Sequence, residues 1–170
     1  RYLNARYTIG ALLHAGIVAY GVAPHFFPAA LFGKSAPSNR LPLGLVGNGL
    51  ICSSHLGTLL GLTDDCRIVA TCDVMRSKAE KARDRIETSY GKAKDSGSRA
   101  RGLDILSTHE ELIARDDIDA VFVCTPDHWH AAVSAAAMRA GKDVYCAKPL
   151  TLPVREGRTL VETARRHGRI

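Results

Sequence analysis

Lys148 closes the stretch Tyr145-Cys146-Ala147-Lys148-Pro149-Leu150, after an apolar run and locked against a proline. An ammonium group at the carboxyl end of a strand, on the edge where parallel sheets bind ligands, suits a catalytic or ligand role. A lysine snorkelling along the surface is the plainer alternative. A second set of polar side chains stands in Thr125-Pro126-Asp127-His128-Trp129-His130. Threonine then proline suits a helix start, with Thr125 as cap and Pro126 at the first position. The two histidines, with Cys124 and Cys146, invite a metal ion. An H-x-H pair with distant thiols has no established ligand spacing, so no metal site is expected. Trp129, the one tryptophan, is either packing or a ring wall.

Gly47-Asn48-Gly49-Leu50-Ile51-Cys52 offers different chemistry. The first glycine permits a tight turn, and the second lets the backbone approach a pyrophosphate at a helix N-terminus. Where a third glycine often stands there is Cys52, small enough for close helix–sheet packing. Asp73 follows 26 residues after Gly47, near the spacing at which a carboxylate takes the adenosine ribose hydroxyls of a dinucleotide. Such an acid repels a 2′-phosphate, which favours NAD, while Arg76 one turn later leaves NADP open. Asp73 as a plain cap of the next helix is the structural alternative.

These groups need elements to hold them, and the sequence alternates between two periods. Residues 41–46 (LPLGLV), 67–72 (RIVATC), 103–106 (LDIL), 118–124 (IDAVFVC) and 143–146 (DVYC) read as apolar strands. Between them lie helical patterns: one with Leu56, Leu59 and Leu60 on a face, and one with Ala79, Ala82, Ile86 and Tyr90, closed by Gly91. A short HEELIAR segment, a small-residue helix ending at Gly141, and 153–168 with Val154, Leu160, Val161 and Ala164 inward complete the set. Strands separated by helices of this length predict right-handed crossovers and an α/β fold, a doubly wound parallel sheet. Thr125–His130 and Lys148 then fall at the carboxyl ends of strands, the edge where such sheets bind ligands.

Composition narrows the class. At 170 residues, 46% apolar and 24% charged, the chain suits one globular domain with a core. Its +6 charge is uneven: Arg1, Arg6, Lys34 and Arg40 have no acid among them, and 19 basic against 17 acidic groups remain. A near-neutral domain behind a basic leader gives little support to nucleic-acid binding. Five cysteines without CxxC spacing read as buried small hydrophobes rather than a disulfide framework. Residues 1–40 combine a basic start, a weakly apolar run from Ile9 to Val22 and a linker, the layout of an export signal too short and interrupted for a stable membrane span. A surface arm is the alternative. Arg1-Tyr2-Leu3-Asn4 matches the later half of a twin-arginine signal, so export to the periplasm is expected, with the cytoplasm otherwise. At the other end, RRHGRI finishes a helix and begins an apolar segment, as in a truncated domain.

GLVGNG, CDV, AVFVCTPDHWHAAVSAAAMRAGKDVYCAKPLT and EGR together resemble the Gfo/Idh/MocA family across residues 41–170, above all its exported branch with a TPDHWH signature. The resemblance implies a Rossmann NAD(P)-binding domain at 41–170 and a second α/β substrate domain that this chain lacks. It implies a nicotinamide dinucleotide held by Gly47, Asn48, Gly49, Leu50, Ile51, Asp73 and Arg76, with Thr125, Pro126, His128, His130 and Lys148 toward its reactive end. The family's E-K-P motif falls on Ala147-Lys148-Pro149, which makes Lys148 the catalytic residue but removes the glutamate beside it. Relatives carry a cis bond before that proline. Ala147→Glu is therefore expected to raise turnover, and Lys148→Ala to abolish it. The implied activity is hydride transfer to or from a carbohydrate or polyol hydroxyl. An NAD-using glycosidase of the same superfamily and a non-catalytic nucleotide-binding remnant are the alternatives. The full-length protein is expected to be a homo-oligomer, and the fragment alone inactive.

Overall fold

The computed structural model describes residues 40–92 and 102–170. The expected leader and linker before residue 40 and most of the basic loop at 92–102 lie outside the described residues. Five strands, β1 (Leu41–Val46), β2 (Cys66–Cys72), β3 (Asp104–Leu106), β4 (Ala120–Val123) and β5 (Asp143–Cys146), form one sheet in the order β3-β2-β1-β4-β5. Every pair is parallel. The order reverses between β1 and β4, which opens a crevice at their carboxyl ends.

The helices are α1 (Leu50–Leu59), α2 (Arg76–Lys92), α3 (His109–Ile113), α4 (Asp127–Arg139) and α5 (Val154–His167). One face of the sheet packs Leu45, Ile68 and Phe122 against Leu56 of α1 and Ile86 and Tyr90 of α2. The opposite face packs Val46, Val121 and Val123 against Leu112 of α3 and Val133 of α4. Strands covered on both faces need apolar residues at successive positions, which is why β4 is buried throughout. Each fully buried Leu, Ile or Val contributes about 1.5–3 kcal/mol through removal from water. The buried cysteines join these clusters as apolar groups, and burial pushes the Cys72 thiol up to about 12.

Several boundaries differ from the sequence reading. Gly91 does not close α2, which runs on to Lys92. Thr125 does not cap α4: Pro126 takes that position with ψ 150, so the helix begins one residue later, at Asp127. The Thr125 hydroxyl is buried with no hydrogen-bond partner. Val154 and Val161 do not face inward; they are 83% and 45% exposed. α5 lies on α4 rather than on the sheet, meeting it through Leu160 and Ala164, so its buried stripe is narrow.

Candidate functional site

The glycine turn stands at the reversal point. Gly47 has φ +86, a conformation that side chains with a Cβ disfavour. A Cβ there would lie 2.7 Å from the Cys124 carbonyl oxygen and 2.8 Å from the Thr125 nitrogen, so only glycine lets β1 leave the sheet against the exit of β4. Gly49 is the N-cap of α1, with nothing within 4 Å of where a Cβ would stand. No side chain caps this helix, and its first turn holds no acid. Its leading N–H groups therefore face open space with a positive end dipole, which suits a pyrophosphate. Leu50 and Ile51 stand exposed beside them.

Asp73 is tied into this turn. Its Oδ2 accepts from the Asn48 N–H at 2.6 Å and its Oδ1 from the Met75 N–H at 2.8 Å. It therefore caps the turn into α2 and also stands at the glycine turn, and each oxygen keeps a lone pair for a further donor. The Asn48 side chain does more than the sequence indicated. Its Nδ2 donates to the Cys72 carbonyl, and its Oδ1 accepts from the buried Thr71 hydroxyl at 2.9 Å. Asparagine's habit of fixing turns through its own side chain was the available signal. A cavity of about 90 Å³ opens next to Asp73 and Arg76, bounded by Val74, Ile105, Leu106 and Ser107. Ser107 was missed by the sequence reading, although it follows the carboxyl end of β3 where ligand contacts gather. The Arg76 Nε donates to Glu80 Oε1 at 3.0 Å, so its guanidinium is partly engaged along its own helix.

Across the crevice, sheet pairing continues one residue past each strand: Cys124 N–H donates to the Val46 carbonyl and Ala147 N–H to the Val123 carbonyl. Pro126 and His128 are exposed at the start of α4. Trp129 is 48% exposed, with His109 against it at 6.0 Å between ring centroids. His130 instead points inward, 2% exposed, with Nε2 2.8 Å from the Thr125 carbonyl oxygen and Nδ1 2.5 Å from that of Pro149. Lys148 is exposed and its bond to Pro149 is cis. Ala147 turns the other way, into the core cluster that holds Cys52 and Cys124. The Cys124 thiol hydrogen-bonds Cys52, which holds the Cys52 thiol below its ordinary range.

The structure thus ties the glycine turn to Asp73 through the Asn48 N–H, with Gly47 and Gly49 on either side of it, and links Thr125 to the Pro149 segment through His130. The same edge carries an apolar rim. Among the described residues, eight of the thirteen exposed large hydrophobic side chains follow the carboxyl ends of β1, β2, β4 and β5.

Comparison with known proteins agrees with this geometry. The chain is 30% identical over 129 residues to an inositol 2-dehydrogenase of Salmonella typhimurium, covering 76% of this chain and 34% of that protein. It is 31% identical over 161 residues to a glycosyl hydrolase family 109 protein of a Shewanella species, covering 91% of this chain and again 34% of the relative. Among solved structures, the WlbA dehydrogenase of Chromobacterium violaceum, in complex with NADH and UDP-GlcNAcA, superposes with a TM-score of 0.66 at 22% identity, over 77% of this chain and 34% of that one. At that identity it speaks for the fold alone. The chain spans about a third of the length of the curated relatives it matches. Residues 41–170 match the Gfo/Idh/MocA description of an oxidoreductase family with an NAD-binding Rossmann fold, and the chain belongs to that family as its nucleotide-binding domain.

Proposed function

We propose that this domain is the cofactor half of an oxidoreductase that moves a hydride between NAD and a carbohydrate or polyol hydroxyl. The observation that carries the proposal is the uncapped start of α1 beside the glycine turn and Asp73, with Lys148 exposed at the same edge. Bound there, the nicotinamide supplies the hydride acceptor or donor. The α1 amides hold the pyrophosphate, and Asp73 takes the adenosine ribose hydroxyls with its remaining lone pairs. Lys148 touches the reacting hydroxyl and assists its proton transfer. NAD is preferred to NADP because the Asp73 carboxylate repels a 2′-phosphate, while Arg76, the cation nearest in sequence, is paired with Glu80.

A second reading has specific support. The glycosyl hydrolase family 109 match covers 161 residues, so it extends beyond the 130 of the Rossmann match into residues 1–40. In that reading transient oxidation of a sugar carbon acidifies the neighbouring hydrogen, elimination follows, and the cofactor returns to its starting state. We propose further that 1–40 is an export leader ahead of the domain at 41–170, that the apolar rim meets the second domain, and that the full-length protein is a homo-oligomer.

Calorimetric titration of the chain tests the cofactor claim: NAD should bind about tenfold or more tighter than NADP, and equal or tighter NADP binding sinks it. In the full-length protein Lys148→Ala should lower turnover by about a hundredfold while NAD affinity stays within about threefold. Net accumulation of NADH during turnover separates the dehydrogenase from the glycosidase.

A further inference from the structure

The loop after β5 leaves the sheet once the Ala147 N–H has donated to Val123. Among the described residues, the hydrogen bond that ties 148–151 to the rest of the fold is the one between Pro149 and the His130 ring. That ring is buried in the first turn of α4, and its other nitrogen faces the Thr125 carbonyl at the end of β4. Both partners are carbonyl oxygens, so the imidazole can serve them only as a donor, and it serves both at once only with hydrogen on each nitrogen. We infer that His130 is a positioning residue whose imidazole clasps the Lys148–Pro149 loop to the end of β4 and so sets where the Lys148 ammonium stands.

The placement explains why a histidine next to the crevice points away from it. A ring that bridges two main-chain carbonyls fixes the separation of the loops that follow two neighbouring strands. Because those carbonyls belong to residues 125 and 149, the constraint lands on the half of the site that would meet the nicotinamide. The glycine turn and Asp73 are held by their own hydrogen bonds and do not depend on it.

Hydrogen exchange on this chain is the first measurement. In His130→Gln, which keeps a donor for one carbonyl only, and in His130→Ala, the amides of Leu150 and Thr151 should exchange about tenfold faster, with those of β1 and β2 unchanged. Imidazole added to His130→Ala should restore protection, whereas 1-methylimidazole, with one ring nitrogen blocked, should not; this separates two-ended hydrogen bonding from filling a hole. Unchanged exchange at 150–151 overturns the clasp, as does equal rescue by the two compounds. Loss of protection throughout the sheet in both variants also overturns it, since His130 would then support the whole fold. A second arm rests on the NAD reading and compares NADH with ADP-ribose. The variants should keep ADP-ribose affinity within about twofold and lose the fluorescence enhancement of bound NADH. An unaltered NADH signal counts against the clasp. Failure of the parent chain to bind either ligand counts against the NAD reading, and the exchange result then decides the clasp alone.

Discussion

The two sides of the crevice are held in different ways. On the β1–β2 side, the glycine turn, Asn48, Thr71, Cys72 and Asp73 form a closed set of hydrogen bonds between chain segments about 25 residues apart. On the β4–β5 side, among the described residues, the loop bearing Lys148 is hydrogen-bonded to the rest of the fold through one buried ring. The first arrangement suits recognition of an invariant group, since its donors are fixed before a ligand arrives. The second leaves the Lys148 loop more adjustable, since it is tied by fewer hydrogen bonds. One Rossmann edge thus combines a glycine turn fixed by several hydrogen bonds with a Lys148 loop moored by fewer.

The sharpest way to break the comparison is Gly47→Ala. Positive φ costs roughly 1–2 kcal/mol with a Cβ, and the atoms it meets are backbone that cannot rotate away. The total should reach about 4 kcal/mol in denaturant unfolding, with NAD affinity down at least about a hundredfold. A stable variant with normal binding would show that the turn is not held as tightly as its geometry indicates.

Ala147→Glu comes next, and here the burial of Ala147 argues for a different outcome from the gain in turnover expected from the sequence. Ala147 is 6% exposed among Cys52, Cys124 and Phe122, while its neighbour Lys148 is exposed. A carboxylate at 147 starts in the apolar cluster rather than beside the ammonium. The substitution should cost about 3 kcal/mol of stability and give no gain in turnover. Chemical denaturation measures the first and full-length kinetics the second; a stable, faster variant would restore the original expectation.

Asp73→Ala removes the acceptor of two backbone N–H groups and the proposed ribose contact. NAD affinity should fall about tenfold and the preference over NADP should narrow, as read by paired titrations. Unchanged selectivity would move the discrimination elsewhere on the β1–β2 side. The smallest effect belongs to Arg76→Ala. Its pair with Glu80 is an exposed i,i+4 contact, so stability should change by no more than about 0.5 kcal/mol, below one or two degrees in a thermal melt. A large shift in NADP affinity instead would show Arg76 breaking that pair to bind a phosphate.

The alternation of strand and helix, the parallel sheet and the glycine turn with its nearby Asp73 could be read from the sequence. Those features follow from local periodicity and from a glycine that only one backbone conformation requires, so neighbouring residues carry the information. Gly47, Gly49 and Asp73 were legible because the chemistry of a turn and a helix start is written within a few positions. Only the tertiary structure decided which way Ala147, His130 and Val154 face. Each of those orientations is set by an element distant in sequence: Ala147 joins the core cluster that holds Cys52 and Cys124, the Pro149 carbonyl accepts from one His130 nitrogen, and α5 packs on α4. Thr125 shows the same limit, since its residue type fits a cap but the extended backbone of Pro126 moves the helix start beyond its reach. Side-chain direction at a loop is fixed by what packs against it, and no local pattern encodes a partner brought in by the fold.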